Sequence, residues 1–203
     1  MLKFLPLLLL LLLCTCGRAP EKEVRIGEAL VIPQPWQQTD ATGHFTLTDG
    51  LTVSIENEDQ AQQIEGFLAE ITAVTGWVPK VVTGGQADLS LAYNDTLPEE
   101  GYALSVTPER ISITAIDMAG FFYAIQTLRQ LLPPEFASGA PQPGVTWAIP
   151  ATTITDAPNF GWRGSMLDVS RHLFTLDHVK DVLHQLPAPN MTRCHRPLPA
   201  AQR

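Results

Sequence analysis

Charge that could do chemistry is gathered in one short stretch, GWRGSMLDVSRHLF at residues 161–174. It holds Arg163, Asp168, Arg171 and His172 among the apolar residues Trp162, Met166, Leu167 and Val169. Apolar residues bounded by glycine read as a strand. Charge on such a strand must be paired or must serve a ligand, because an unpaired buried ion is costly. A guanidinium offers donors in a fixed fork that suits either a carboxylate or adjacent hydroxyls. Arg171 therefore has two readings from the residues alone, an ion pair with Asp168 or a ligand contact. Arg163, at the start of the strand, reads as structural, and so do Asp168 and His172.

The element after this strand is helical. Thr175 is a fitting N-cap, Asp177 favours the helix start, and Leu176, Val179, Val182, Leu183 and Leu186 make one apolar face. Strand then amphipathic helix is a βα unit, the building block of parallel sheets and (β/α)8 barrels. One such unit cannot bury its own faces.

Upstream, the pattern is different. HFTLTDGLTVSIE alternates around Asp49-Gly50, a hairpin signal. From Asp59 to Thr75 the apolar residues Ile64, Phe67, Leu68, Ile71 and Val74 follow helical steps, and Gly76 stands where a C-terminal cap belongs. VPKVVT and ADLSLAY read as short strands. Tyr102, Leu104, Val106 and then Ile111, Ile113, Ala115 alternate about a turn at residues 107–110, the clearest hairpin in the chain. A helix is expected from Ala119 to Leu132, stopped by Pro133-Pro134. Residues 133–144 read as a Pro/Gly-rich loop, followed by an extended stretch to residue 160. The expected fold class is α+β, an antiparallel sheet with helices on one face, followed by the first βα unit of a parallel structure.

Composition narrows the function. The 203 residues carry 21 Asp+Glu against 13 Lys+Arg, a formal net charge of -8, which argues against nucleic acid as partner. No metal-ligand spacing is present and no cofactor motif is found; Gly84-Gly85 reads as a turn. Glu56, Glu58, Asp59, Glu99 and Glu100 lie near turns or helix starts and read as solvated. Trp36, Trp77 and Trp147 are expected to pack. The first residues, MLKFLPLLLLLLLCTC, combine Lys3, a leucine run and small residues in the manner of a signal peptide. Leu13-Cys14-Thr15-Cys16 resembles the bacterial lipobox, which implies lipidation at Cys16, a membrane partner through that anchor, and a place in the bacterial cell envelope; plain secretion is the alternative. With Cys16 lipidated, the mature chain has no internal disulfide available.

WRGSMLDVSRH, together with GYALSV, ISITA and AGFFYAIQTLRQLL upstream and VIPQPW at the entry, resembles glycoside hydrolase family 20, the β-N-acetylhexosaminidases. The likeness runs from about residue 31 to the end. It implies an α+β domain at 31–160 and, at 161–203, the start of a (β/α)8 catalytic barrel, truncated with a degraded tail; before it, the residues themselves read as a signal peptide at 1–16 and a charged linker at 17–30. It further implies that Arg171 hydrogen-bonds hydroxyls of the terminal sugar of an N-acetylhexosamine-terminated glycan. In the family a Glu acts as general acid, and an Asp orients the substrate's own 2-acetamido group, which displaces the leaving group with retention. That pair belongs to a later strand, so no catalytic residue is assigned in this chain, and the 203 residues alone are expected to be inactive. A non-catalytic, lipid-anchored module for glycan or protein binding is the alternative.

The tail, LPAPNMTRCHRPLPAAQR, keeps the family register at Leu186, Met191, Arg193, His195, Leu198 and Gln202 but departs elsewhere. Pro189 and Pro197 stand for His, Thr192 for Asn, Ala200 and Ala201 for Asp. Each departure is one base change, which suggests a decayed or misread gene end. Pro187, Pro189, Pro197 and Pro199 lack N–H groups, so the second barrel strand is not expected to form normally.

Overall fold

A computed structural model describes residues 29–169, 171 and 174–197. Cys16, most of the linker, Ser170, His172 and the last six residues lie outside the described residues.

Nine strands and three α-helices occur among the described residues: β1 (Gln37–Thr46), β2 (Thr52–Ile55), α1 (Glu58–Thr75), β3 (Lys80–Thr83), β4 (Leu89–Tyr93), β5 (Tyr102–Val106), β6 (Ile111–Ala115), α2 (Met118–Leu131), β7 (Ala148–Asp156), β8 (Gly164–Met166), α3 (Leu176–Gln185) and β9 (Arg193–His195). A 3-10 turn, Pro134–Ser138, lies inside the Pro/Gly-rich loop. Strands β1 to β7 form one seven-stranded sheet in the order β1-β7-β5-β6-β4-β2-β3, and β8 and β9 form a second, two-stranded sheet.

The large sheet is mixed, which corrects the expectation of an antiparallel one. Strand β2 is parallel to both β3 and β4, and β4 is parallel to β6. The β5–β6 hairpin and the β5–β7 and β1–β7 pairs are antiparallel. The Asp49-Gly50 hairpin also fails. Gly50 does turn the chain with φ 106, yet β1 then pairs with β7 at one edge while β2 sits beside β3 at the other. Alternation reports which face of a strand is buried, not which strand lies beside it. The α1 crossover from β2 to β3 demands a parallel pair.

One face of this sheet is covered by α1 and α2. Alternate residues of β5 and β6 point at them: Tyr102, Leu104, Val106, Ile111, Ile113 and Ala115 are all buried. Ile64, Phe67, Ile71 and Val74 of α1 and Ile125, Leu128 and Leu131 of α2 complete this core. Asn57 caps α1 through the N–H of Gln60, and Gly76 ends it at φ 78. Asp117 caps α2 through Gly120 N–H, where a side chain on residue 120 would collide with the Gly101 carbonyl. Arg129 of α2 grips Glu70 of α1 in two bonds, Nε to Oε2 at 2.7 Å and Nη2 to Oε1 at 3.0 Å, and its guanidinium lies 5.6 Å over the Phe67 ring. Trp147 is buried and Trp77 packs against the core, as expected; Trp36 is half exposed and donates its indole N–H to Asn159 at 2.8 Å.

Candidate functional site

The charged stretch adopts less strand than its apolar residues suggest. Only Gly164–Met166 is β-structure. Trp162 is 69% exposed and Met166 64%. The expectation of a buried strand is corrected: among the described residues its sole strand neighbour is β9, and none of its three residues is fully buried. Helix α3 has the same character. Thr175 caps it by accepting the His178 N–H, as expected, but only Val179 of its apolar face is buried, while Leu176 and Leu183 remain exposed.

Strand β9 corrects the expectation for the tail. Residues 193–195 pair parallel with β8, Gly164 opposite Arg193, Ser165 opposite Cys194 and Met166 opposite His195. The prolines bracket the strand rather than interrupt it. The donors that the ladder uses belong to non-proline residues: Arg193 N–H reaches Arg163 O at 3.0 Å, Thr192 N–H reaches the same oxygen at 2.8 Å, and Leu167 N–H reaches His195 O at 3.0 Å. The unit β8–α3–β9 is thus a complete parallel βαβ crossover, with Cys194 exposed on it.

Its two ends carry two different arginines. At the N-terminal end of β8, the Arg163 side chain is 12% exposed and meets four partners. Its Nη2 donates to Glu100 Oε2 and to the Tyr123 hydroxyl, both at 2.6 Å, its Nε donates to Asn190 O at 2.7 Å, and its Nη1 donates to Phe160 O. The guanidinium also lies 5.3 Å from the Tyr123 ring centre. Glu100, read from sequence as solvated, is instead ion-paired here, and its backbone is left-handed with φ 59. Burial pushes the Tyr123 phenol above its usual range, and the nearby Arg163 charge pulls the other way. This cluster joins the seven-stranded body, through Glu100 and Tyr123, to the βαβ unit, through Asn190.

Beyond the C-terminal end of β8 lies Arg171. Its side chain is 85% exposed; its Nε is 3.2 Å from Asp168 Oδ2, and its backbone N–H donates to Asp168 Oδ1 at 3.2 Å. The ion-pair reading is thus met. Asp168 holds the turn and its arginine, and the rest of the guanidinium faces outward. His195, the last residue of β9, ends on the same side as Arg171, since the strands are parallel. In parallel β/α structures, ligands bind at the C-terminal ends of strands. Arg171 stands at that end and Arg163 at the other.

A third polar group lies inside the body. Tyr102 OH is 2.6 Å from Thr127 Oγ1 and 3.4 Å from Asp156 Oδ2, while Asp156 Oδ1 accepts the Trp36 N–H at 3.2 Å. Burial raises the pKa of both Tyr102 and Asp156. The partners of Arg163 and of Tyr102 were not found from sequence. Residues 100, 123 and 190 are far apart in the chain, and no periodicity marks them as neighbours. Among the described residues, no group of three or more His, Cys, Asp or Glu side chains could hold a metal ion, and no helix is long and apolar enough to cross a membrane.

Residues 28–157 match the family described as glycosyl hydrolase family 20, domain 2, and the chain belongs to that family. It is 34% identical over 156 residues to a beta-hexosaminidase of Vibrio furnissii, an alignment covering 77% of this chain and 24% of the relative. It is 30% identical over 195 residues to a beta-hexosaminidase of Porphyromonas gingivalis, covering 92% of this chain and 25% of that one. Among solved structures it is similar to the Streptomyces plicatus N-acetyl-beta-hexosaminidase in complex with Thio-NAglucal, with TM-score 0.76 and 33% identity, covering 85% of this chain and 35% of the other. The mixed α+β body is therefore one shared with family 20 hexosaminidases. The chain spans about a quarter of the length of these two curated relatives.

Proposed function

We propose that this chain is the amino-terminal portion of a β-N-acetylhexosaminidase, with an α+β domain at 31–160 and the opening of a (β/α)8 catalytic barrel from residue 161. The observation that carries this reading is the parallel β8–α3–β9 crossover that follows the family 20 domain, with Arg171 beyond the C-terminal end of its first strand. The exposed apolar residues of that unit support it, since further β/α units would cover them.

In this reading the whole enzyme removes terminal non-reducing N-acetylhexosamine from a glycan. Arg171, oriented by Asp168, donates to hydroxyls of that sugar. Removing its guanidinium would weaken ground-state and transition-state binding together, and a loss of that kind shows in KM. The general acid and the Asp that orients the 2-acetamido group belong to a later strand. Lipidation at Cys16 and a place in the bacterial cell envelope belong to the same reading. Labelling with an alkyne fatty acid in a bacterial host, lost in Cys16→Ser, checks the anchor.

The coding sequence beyond codon 203 tests the proposal. It is expected to encode adjacent Asp and Glu at a later strand end. A downstream frame without that pair would overturn it.

A further inference from the structure

The two edges of the seven-stranded sheet are finished differently. Strand β1 is interrupted by a register shift between Asp40 and His44, a device that blunts an edge against further pairing. Strand β3, at the other edge, pairs in unbroken register with β2 over residues 80–83 and has neither bulge nor interior proline. Lys80 N–H and Gly84 N–H turn inward to the carbonyls of Leu51 and Ile55. By ladder alternation, the N–H and C=O groups of Val81 and Thr83 point away from the sheet.

A groove of about 560 Å³ runs beside this edge, between β3 and α1. Leu68, Val78, Pro79 and Val81 give it apolar walls, and Glu58 and Glu65 stand along it. Val78 is 71% exposed, Val81 45% and Val82 40%. Helix α1 has four acidic residues, Glu58, Asp59, Glu65 and Glu70, and no Lys or Arg. Arg129 neutralises Glu70; no ion pair engages Glu58 or Glu65 among the described residues.

We propose that the β3 edge and the α1 groove together bind an extended basic segment of another protein, which adds to the sheet as an eighth strand. Strand addition draws affinity from backbone hydrogen bonds and specificity from alternate side chains. Val81 shares the face of Val53, toward the helices, and Val82 lies on the opposite face. A paired segment therefore sends alternate side chains toward α1. There Lys or Arg fits: the aliphatic stem lies on Leu68 and Val78, and the charged head reaches Glu58 and Glu65. The other face of the segment meets Val82 and favours small β-branched residues. Charge also selects against a second copy of this chain. Antiparallel pairing of two β3 edges about a two-fold axis would set one α1 beside another, acid against acid.

The test uses the full chain and an eight-residue peptide alternating Lys and Val, followed by fluorescence anisotropy at near-physiological salt. A peptide alternating Glu and Val is the control. The Lys peptide is expected to bind and to shift the amide resonances of Val81 and Thr83, while the Glu peptide does not bind. Val81→Pro removes an outward donor and should abolish binding. Glu58→Lys with Glu65→Lys, two exposed positions that leave the core untouched, should weaken it by roughly tenfold or more. The proposal is overturned if the Lys peptide does not bind, or binds equally to the charge-reversed chain. Binding unchanged by Val81→Pro, with the amide resonances of residues 81 and 83 unmoved, shows surface adsorption and overturns it as well. So does sedimentation that finds a dimer lost in Val81→Pro, which would assign the edge to a second copy.

Discussion

The body built on β1 to β7 and the short β8–α3–β9 unit show opposite relations between pattern and burial. In α1, four of the five apolar residues that define the helical face are buried, at 0–2% exposure. In α3, an equally clear face buries Val179 alone. Both helices are written with the same periodicity and both are capped by side chains. The difference is what is there to pack on: α1 has a seven-stranded sheet and α2, while the sheet of α3's own unit is, among the described residues, two strands of three residues each. An amphipathic pattern states what a helix needs; burial shows whether the rest of the structure supplies it.

The comparison can be broken by mutation. Truncation in the body should have the largest effect. Leu104→Ala or Phe67→Ala is expected to cost about 2–5 kcal/mol in chemical denaturation, whereas Leu183→Ala in α3 should stay within roughly 0.5 kcal/mol. Equal losses at the two places would mean that α3 is packed as well as α1. Next comes Arg163. Arg163→Ala leaves Glu100 and the Tyr123 hydroxyl without their shared donor and should cost about 2–4 kcal/mol. Its specific signature is amide exchange: protection of β8 and β9 should fall before that of β5 and β6. Loss of protection everywhere at once would show that the βαβ unit and the body unfold as one.

Arg171→Ala should change the stability of the 203-residue chain by less than about 0.5 kcal/mol, because its ion pair is exposed. A large loss would make Arg171 a structural residue rather than a ligand-facing one. The smallest effect concerns Asp156, whose carboxyl is raised above its usual range by burial. A folded pKa above the unfolded one means that the folded state holds the proton more tightly. The stabilisation from this group is therefore full below about pH 4, near the unfolded value, and is lost as pH rises through the raised folded value. Asp156→Asn should flatten that part of the stability–pH curve, and an unchanged slope would remove Asp156 as its source.

How far the sequence could be read follows the same division. Helix α1, helix α2 and the β5–β6 hairpin are legible because their periodicity, caps and turns are local. The parallel half of the sheet is not, because partner choice depends on the α1 crossover and on residues far along the chain. Arg171 was singled out from the residue types around it and from the likeness to family 20, and the structure places it with Asp168 at the turn after β8. Arg163 could be marked as structural, but its partners Glu100, Tyr123 and Asn190 could not, since nothing local joins those positions. The prolines of the tail argue, in the sequence, against a normally formed strand. Proline removes only its own donor, and the β9 ladder draws on its neighbours.

The proposal at the centre is that catalysis belongs to a barrel that β8 would open and that the 203 residues alone do not carry it out. Release of 4-nitrophenol from 4-nitrophenyl N-acetyl-β-glucosaminide tests this most directly, comparing the purified 203-residue chain with protein translated through the downstream reading frame. The account predicts no release by the chain, release by the longer protein, and a raised KM in its Arg171→Ala form. Hydrolysis by the 203-residue chain, or a longer protein with no activity, would contradict it.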